Sequence, residues 1–332
     1  MKYKFFKSAL AAVFIFTGLV TKAQQNDYQL KQKFYISGTG GWDYLAVNAN
    51  KLYVSHGTQV DIVDKATGDS LGVIPNTDGV HGIAFIDSRN KGYTSNGKLN
   101  TITVFDLSNG KALTQIVVGQ NPDAIMYEPF IKKIITCNGR SNDLSIVDPN
   151  AEKLVATIAV GGKPETAVSD GAGKLFVNIE DRNEVVCIDL KSLRVEKRWK
   201  LDPAEGPTGL AYDADAKRLF VGCEKKLVVL NASTGAIVKQ ITIGDGCDGV
   251  VFDRTTKTIF TSNGEGTMTV IEEKSAQEYV VKENVVTKKG ARTITIDETT
   301  HSVYLPVAEY EESPSQGRHV KPGTFHVMVF KK

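Results

Sequence analysis

The sequence predicts an all-β fold, a seven-bladed β-propeller, and three observations support this prediction. First, a short motif recurs in which a turn residue and one variable residue precede an apolar run, as in "VHGIAF" at 80 and "PDAIMY" at 122. Second, the seven copies are spaced by 38 to 44 residues, close to the length of a four-stranded propeller blade. Third, no segment of useful length shows the apolar stripe of period 3.6 that indicates a helix.

Each copy of the motif begins the innermost strand of one predicted blade. The copies are "WDYLAV" at 42, "VHGIAF" at 80, "PDAIMY" at 122, "PETAVS" at 164, "PTGLAY" at 207, "CDGVVF" at 247 and "ARTITI" at 291. A polar turn such as "DADAK" and a second β-rich run such as "RLFVGCE" follow. A third run such as "LSIVD", a turn such as "KATG" and a fourth run such as "KLVATIAVG" complete the unit. Short alternating Val, Ile and Thr runs between Asp, Asn and Gly turns are typical of strands.

The last unit lacks one strand, because the chain ends at "TFHVMVFKK". A matching strand lies at the other end of the chain, where "QLKQKFYISGTGG" at 29–41 precedes the first motif. We therefore expect the N-terminal strand to complete the last blade, which closes the ring and leaves no free edge between blades.

Residues 1–23 have the features of a secretory signal peptide. Three lysines precede an apolar stretch from Ala9 to Val20, and a small-residue cleavage site that ends at Ala23 follows this stretch. The stretch is shorter than the about 20 residues of a membrane-spanning helix. We expect cleavage after Ala23, export to the periplasm of a Gram-negative bacterium or secretion, and one propeller domain over 24–332 without membrane insertion.

Removal of this leader changes the charge balance of the chain. The full chain has 40 basic and 38 acidic residues, and the leader contains four of the lysines and no acid. The mature chain therefore carries a formal net charge of −2, which provides no overall field to attract nucleic acid or anionic lipid. We expect a monomer whose partner is a small molecule or an envelope protein, and no nucleic-acid binding.

The four cysteines are too few to build a disulfide scaffold. They are Cys137, Cys187, Cys223 and Cys247, and they lack the CxxC spacing of zinc and redox sites and the CxxCH motif of haem attachment. In an oxidising compartment one bridge can form, and Cys223–Cys247 is the favoured pair.

Several segments carry a resemblance to a known family. "KLYVSHG", "VDIVDKATGDSLGVI", "IVDPNAEKLVATIAVGGKPETAVSDGAGKLFV" and "GPTGLAYDADAKRLFVG" resemble the YVTN-repeat propellers, also described as YncE-like. The resemblance covers residues 29–332 and implies a seven-bladed propeller. Propellers with this repeat serve as binding and surface proteins, and relatives act as lactone hydrolases, so the resemblance does not select an activity.

The variable second residue of the motif falls at the same point of each innermost strand, at the rim of the central channel. The ring consists of Asp43, His81, Asp123, Glu165, Thr208, Asp248 and Arg292. Six of the seven are ionisable, whereas the composition would place about two there. Glu180, in a loop between a second and a third strand, and Trp42, which begins the first inner strand, are further candidate ligand-binding residues near the rim.

Three interpretations of the ring stay open at this point. Its charges can satisfy one another and water at a wet channel mouth. They can form a ligand pocket in which Arg292 binds an anionic group while His81 and the carboxylates bind donors. They can hold a divalent cation, since carboxylate oxygens suit Ca²⁺ or Mg²⁺ and an imidazole would admit Zn²⁺. The metal ligands would then be Asp43, Asp123, Glu165, Asp248 and His81.

The sequence first predicts an exported, non-enzymatic propeller that binds a small ligand, a cation or a protein partner at this face. It contains no GxSxG, HExxH, Walker or EF-hand pattern, and it indicates no certain cofactor. The alternative is a divalent-metal-dependent hydrolase acting on a lactone-like substrate. A metal held by rim carboxylates would polarise the carbonyl, and His81 or Glu180 would act as general base.

Overall fold

The computed structural model describes residues 1, 27–38, 41–313 and 317–332. Apart from Met1, the predicted signal peptide at 1–23 lies outside these residues. The described chain forms thirty strands, of which twenty-eight build seven four-stranded antiparallel sheets and two form a separate hairpin. The sheets are the blades of a β-propeller, which confirms the predicted all-β, seven-bladed fold.

In each blade the first strand lies at the channel and the last strand lies outside. Blade 1 contains β2 (Trp42–Asn48), β3 (Lys51–His56), β4 (Gln59–Asp64) and β5 (Ser70–Ile74). Blade 2 contains β6 (Val80–Ile86), β7 (Lys91–Asn96), β8 (Thr101–Asp106) and β9 (Ala112–Val117). Blade 3 contains β10 (Pro122–Glu128), β11 (Lys133–Asn138), β12 (Asp143–Asp148) and β13 (Lys153–Ala159).

The following three blades repeat this pattern. Blade 4 contains β14 (Pro164–Ser169), β15 (Lys174–Ile179), β16 (Glu184–Asp189) and β17 (Arg194–Lys200). Blade 5 contains β18 (Leu210–Asp213), β19 (Arg218–Cys223), β20 (Lys226–Asn231) and β21 (Ile237–Thr242). Blade 6 contains β22 (Cys247–Asp253), β23 (Thr258–Asn263), β24 (Thr267–Ser275) and β25 (Glu278–Val286).

Blade 7 closes the ring with strands from both ends of the chain. Its strand order is β26 (Thr295–Asp297), β27 (Ser302–Val307), β30 (His326–Lys331) and β1 (Gln29–Tyr35). β1 pairs antiparallel with β30, from Gln29 opposite Lys331 to Tyr35 opposite His326. The N-terminal strand therefore completes the last blade, as the repeat register predicted.

Blade 7 carries a long insertion at 309–323. It contains the hairpin β28 (Tyr310–Ser313) and β29 (Gly317–Val320). Helical structure in the described residues is limited to two 3-10 turns, η1 (Asp87–Arg89) and η2 (Glu180–Arg182). In the described part of the chain, no helix has the length and apolar character needed to cross a membrane.

The core consists of seven hydrophobic clusters, one at each junction between neighbouring blades. At the closing junction, Phe34 of β1 and Tyr304 of blade 7 pack with Leu52 and Val54 of blade 1. All four side chains are at most 3% exposed. Because each blade buries both of its faces against neighbours, closure of the ring buries the apolar faces that blades 7 and 1 would otherwise expose to water.

An aspartate or asparagine at the end of the third strand makes the recurring turn to the fourth. The Asp64 carboxylate accepts backbone hydrogen bonds from Ala66 and Thr67 at 2.8 and 3.0 Å, and these bonds lower its pKa. Gly68 then adopts φ +81°, a conformation that glycine reaches without steric cost. The same turn geometry explains why segments such as "DKATG" at 64–68 connect the third strand to the fourth.

The expected Cys223–Cys247 disulfide is absent, and all four cysteines are free and buried. Cys223 packs in the cluster between blades 4 and 5, whereas Cys247 packs in the cluster between blades 5 and 6. Cys223 therefore lies on the face of blade 5 that packs on blade 4, whereas Cys247 belongs to blade 6 and packs on the other face of blade 5. Burial raises the pKa of Cys223 to about 12 and that of Cys187 to about 11, so both behave as small hydrophobic residues.

Candidate functional site

The variable motif residue lies where each inner strand departs from regular pairing. In five blades the register shifts across this residue, for example between Trp42 and Leu45 in β2 and between Pro122 and Ile125 in β10. In the other two blades, regular pairing begins only after the residue, at Leu210 and at Thr295. A bulge re-aims a side chain away from the face of its sheet. This irregularity allows the variable side chains to line the channel instead of packing between blades.

All seven ring residues line one cavity of about 160 Å³ at the channel mouth, which we call the rim cavity. Three more residues complete its lining. Glu180 lies at η2 and was anticipated, whereas Tyr44 and Lys163 were not. Alignment of the seven repeats was thus sufficient to place these seven residues around one cavity.

Hydrogen bonds between neighbouring blades fix the backbone under these side chains. The Thr293 hydroxyl donates to the Asp43 carbonyl at 2.6 Å, and the Thr208 hydroxyl donates to the Cys247 carbonyl at 2.7 Å. Ser95 donates in the same way to the carbonyl of Asp123, in the next blade. The rim is therefore held by the rigid inner strands rather than by long loops, which favours a preformed site.

Glycine at the third motif position allows this close approach of the inner strands. A Cβ atom on Gly82 would lie 2.8 Å from Ile125 Cγ2 and 3.1 Å from the Asp123 carbonyl oxygen. Both distances are shorter than ordinary van der Waals contact. The small residue is thus required by packing between blades 2 and 3, not by the ligand chemistry of the rim.

Asp43, His81 and Asp123 form the first polar group of the rim cavity. His81 Nδ1 lies 2.6 Å from Asp43 Oδ2 and 4.0 Å from Asp123 Oδ2. Ligand atoms of the three residues all lie within 4.8 Å of one another, a spacing compatible with a metal ion. Of the five predicted metal ligands, these three therefore lie close together in the structure.

The other two predicted metal ligands are occupied by basic side chains. Arg292 donates to Asp248 at 2.5 Å and lies 3.9 Å from Asp43. Lys163 Nζ lies 2.7 Å from Glu165 and also contacts Glu180. Asp248 and Glu165 therefore belong to ion pairs with basic residues that also line the cavity.

Burial raises the pKa of three rim acids. The pKa of Asp123 rises from 3.8 to about 6, mainly through burial, and the charges of Asp43 and Asp248 add to the increase. Burial raises the pKa of Asp248 to about 6 against the opposing charge of Arg292. Burial and the charge of Asp123 raise the pKa of Glu165 to about 8. Burial is the largest cause in each case, and the repulsion between carboxylates that share one rim adds to it.

The opposite effect acts on the imidazole. Burial by itself lowers the pKa of His81, but the hydrogen bond to Asp43 and the charges of Asp123, Asp43 and Glu165 outweigh it and raise the pKa above 6.5. The imidazolium therefore compensates part of the negative charge of the rim. Burial and the nearby carboxylates also raise the pKa of the Tyr44 phenol, so this group stays neutral at physiological pH.

Trp42 does not line the rim cavity. Its indole stacks on Phe325 with ring centroids 5.4 Å apart and lies 5.7 Å from the ring of Tyr310. It packs against the cluster that joins blades 7 and 1. The structure thus gives Trp42 a packing role at the ring closure.

Two lining residues were missed by the sequence argument. Tyr44 occupies the third motif position, which is Gly, Ala or Thr in the other six repeats, and this departure was a readable signal. Lys163 precedes the fourth motif in "GGKPETAV", at a position that is Gly or Asn before the other six motifs. Its ion pairs with two glutamates were not predictable from spacing.

Comparisons with known proteins support the fold. The sequence matches no known protein family and no curated protein. Among solved structures, a chain of the Kuenenia stuttgartiensis hydrazine synthase is similar, with a TM-score of 0.71 and 16% sequence identity, over 81% of this chain and 92% of that chain. At this level of identity the similarity shows a shared seven-bladed propeller fold and nothing about activity.

Proposed function

We propose that this protein is an exported, non-enzymatic propeller of the YVTN-repeat type that binds a small positively charged ligand in the rim cavity. One observation carries the proposal. Five carboxyl groups but only three basic groups converge on the cavity. A concave site with an excess of one charge on a rigid scaffold favours ligands of the opposite charge.

Asp123 is the group best placed to receive the cation. Among the described residues, His81, at 4.0 Å, is the one basic side chain within ion-pair distance of its carboxylate. Its carboxylate is buried beside other acids, which raises its pKa to about 6. A bound cation would offset this repulsion and lower the pKa again.

The contacts argue against an anionic ligand. Arg292 is paired with Asp248, and Lys163 is paired with Glu165. An anion would have to displace a carboxylate from each base and would face the remaining acids. The interpretation in which Arg292 binds an anionic group is therefore the weaker one.

The proposal of export rests on the sequence of residues 1–23. Their lysine-rich start, apolar stretch and small-residue site are those of a signal peptide cleaved after Ala23. The ligand would then be met in the periplasm or outside the cell. N-terminal sequencing of the protein recovered from the periplasm of a producing strain tests this.

Calorimetric titration of the purified mature protein tests cation binding. The probes are the chlorides of Ca²⁺, Mg²⁺, Zn²⁺ and methylammonium at constant ionic strength, with sodium acetate as the anionic comparison. We expect at least one cation to bind and to bind at least tenfold more weakly to Asp123→Asn. Asp148→Asn, an equal change in the outer part of blade 3, should leave binding unchanged. Acetate binding that is lost in Arg292→Ala would contradict the proposal.

A second candidate is the divalent-metal-dependent hydrolase, and the grouping of Asp43, His81 and Asp123 favours it. Two carboxylates and an imidazole fit Zn²⁺ as three protein ligands, which leaves a position for water or substrate. Elemental analysis of protein purified without chelator, followed by δ-valerolactone hydrolysis assays, tests this function. Near one equivalent of metal with metal-dependent turnover would support it. A metal-free, inactive protein that still binds methylammonium would support the binding function.

A further inference from the structure

An apolar chamber lies next to the rim cavity on the inner strands of blades 1 to 4. Its volume is about 160 Å³, and Leu45, Ile83, Ile125 and Met126 provide its large side chains. Cys137 adds a thiol from β11. An apolar cavity of about 150 Å³ accommodates benzene, so this chamber has space for about six carbon atoms.

The chamber and the rim cavity adjoin at Tyr44, which lines both spaces. Ala124 and Ile125 of the chamber directly follow Asp123 of the rim, and Thr166 directly follows Glu165. Rim carboxylates and lining residues of the chamber are therefore adjacent along the same strands.

We propose that the two spaces form one site for a primary ammonium ion that carries an apolar group of about six carbons. The ammonium group pairs with Asp123 in the rim cavity, and the apolar group occupies the chamber. This inference rests on the proposed function, because it assigns a chemical class to the cation that the rim cavity binds.

The combination of the two spaces selects this class of ligand. A metal ion or a small polar cation would use the rim cavity and leave the chamber unused. An apolar carboxylate would bring a negative charge beside Asp43 and Asp123, which is repulsive. An ammonium ion with an apolar group gains from both spaces, and Tyr44 at the boundary provides an aromatic ring beside the positive charge.

Four matched probes test the inference by calorimetric titration. Benzylammonium has both features, methylammonium has the charge alone, benzyl alcohol has the apolar ring alone, and benzoate combines the ring with the opposite charge. We expect benzylammonium to bind at least tenfold more tightly than methylammonium, since burial of the ring adds apolar contact. Benzyl alcohol and benzoate should bind at least tenfold more weakly than benzylammonium.

Variants then locate each part of the ligand. Asp123→Asn should weaken benzylammonium at least tenfold. Thr166→Leu and Ala167→Leu, which fill the chamber, should remove the preference for benzylammonium over methylammonium. Ala151→Leu, an equal enlargement at an exposed turn, should have no effect.

A second measurement is independent of the chamber variants and of their folding. In protein with ¹³C-labelled methionine methyl groups, nuclear Overhauser transfer from the ring protons of benzylammonium should reach Met126. Absence of this transfer at saturation would overturn the inference. Methylammonium that binds as tightly as benzylammonium would also overturn it while leaving the proposed function intact. Failure of every cation to bind would overturn both.

Discussion

Replacement of Asp123 by asparagine is expected to stabilise the protein at alkaline pH. The carboxylate is buried beside Asp43 and Asp248, and its pKa rises from 3.8 to about 6. An acid with a raised folded pKa binds more protons when folded than when unfolded. Stability is therefore lost as the pH rises from about 4 through about 6. Asparagine resembles the protonated acid and does not undergo this loss.

The magnitude follows from the change in pKa. At 1.36 kcal/mol per pKa unit, the ionised side chain costs about 3 kcal/mol in the free energy of unfolding above pH 7. At pH 4.5 the same relation gives a cost of about 1 kcal/mol, because the folded group is still protonated. The advantage of Asp123→Asn over the wild type should thus grow by about 2 kcal/mol between pH 4.5 and pH 8.

Denaturant unfolding followed by circular dichroism measures this difference, in the presence of a chelator so that no metal occupies the rim. Asp148→Asn is the control of opposite sign. A backbone hydrogen bond from Asn150 lowers the pKa of Asp148, so its ionised form stabilises the fold and asparagine should cost stability at pH 8. An Asp123→Asn variant that is less stable than the wild type at pH 8 would contradict this prediction. A variant whose free energy of unfolding differs from that of the wild type by the same amount at both pH values would also contradict it.

Three further predictions concern the scaffold. Phe34→Ala should cost about 3 to 5 kcal/mol of unfolding free energy, since Phe34 is 3% exposed at the ring closure, and denaturant titration measures this. Tyr35→Ala, at a side chain that is 65% exposed, should change it by less than about 0.5 kcal/mol. Gly82→Ala should lower the melting temperature because its Cβ would clash with Ile125, whereas Gly41→Ala, where nothing lies within 4 Å, should not. Thiol titration should count four free thiols after unfolding without reductant, and few in the native protein, because all four are buried.

Each of these predictions has a result that would contradict it. Equal losses for Phe34→Ala and Tyr35→Ala would mean that β1 does not seal the ring. Equal melting temperatures for Gly82→Ala and wild type would show that the inner strands are less closely packed than described. Two free thiols in the unfolded protein would restore the disulfide that the sequence suggested.

The fold was predictable from sequence because the repeat carries its own register. Once "PDAIMY" and its relatives are aligned, strand order, blade number and closure by residues 29–41 follow from counting. The disulfide was not predictable in this way. Cys223 and Cys247 are near in sequence, but they belong to neighbouring blades, and Cys223 packs between blades 4 and 5 whereas Cys247 packs between blades 5 and 6.

The position of the candidate site was predictable from the sequence, but the ion pairs among its side chains were not. The register placed Asp43, His81 and Asp123 on one rim, and the structure brings their ligand atoms within 4.8 Å. The repeat register could not show that Lys163 would pair with Glu165, because Lys163 lies in a connecting segment whose path depends on tertiary contacts. The register also could not decide between ligand contact and packing for Trp42, which packs on Phe325 and does not line the rim cavity.

The proposed function requires a cation to bind among rim carboxylates with raised pKa values. The most direct test is calorimetric titration of methylammonium at pH 6 in two buffers of different ionisation enthalpy, which counts the protons exchanged on binding. A cation lowers the pKa of nearby acids and of His81, so we expect proton release from the wild type and less release from Asp123→Asn. Binding without proton release, or proton uptake, would contradict it.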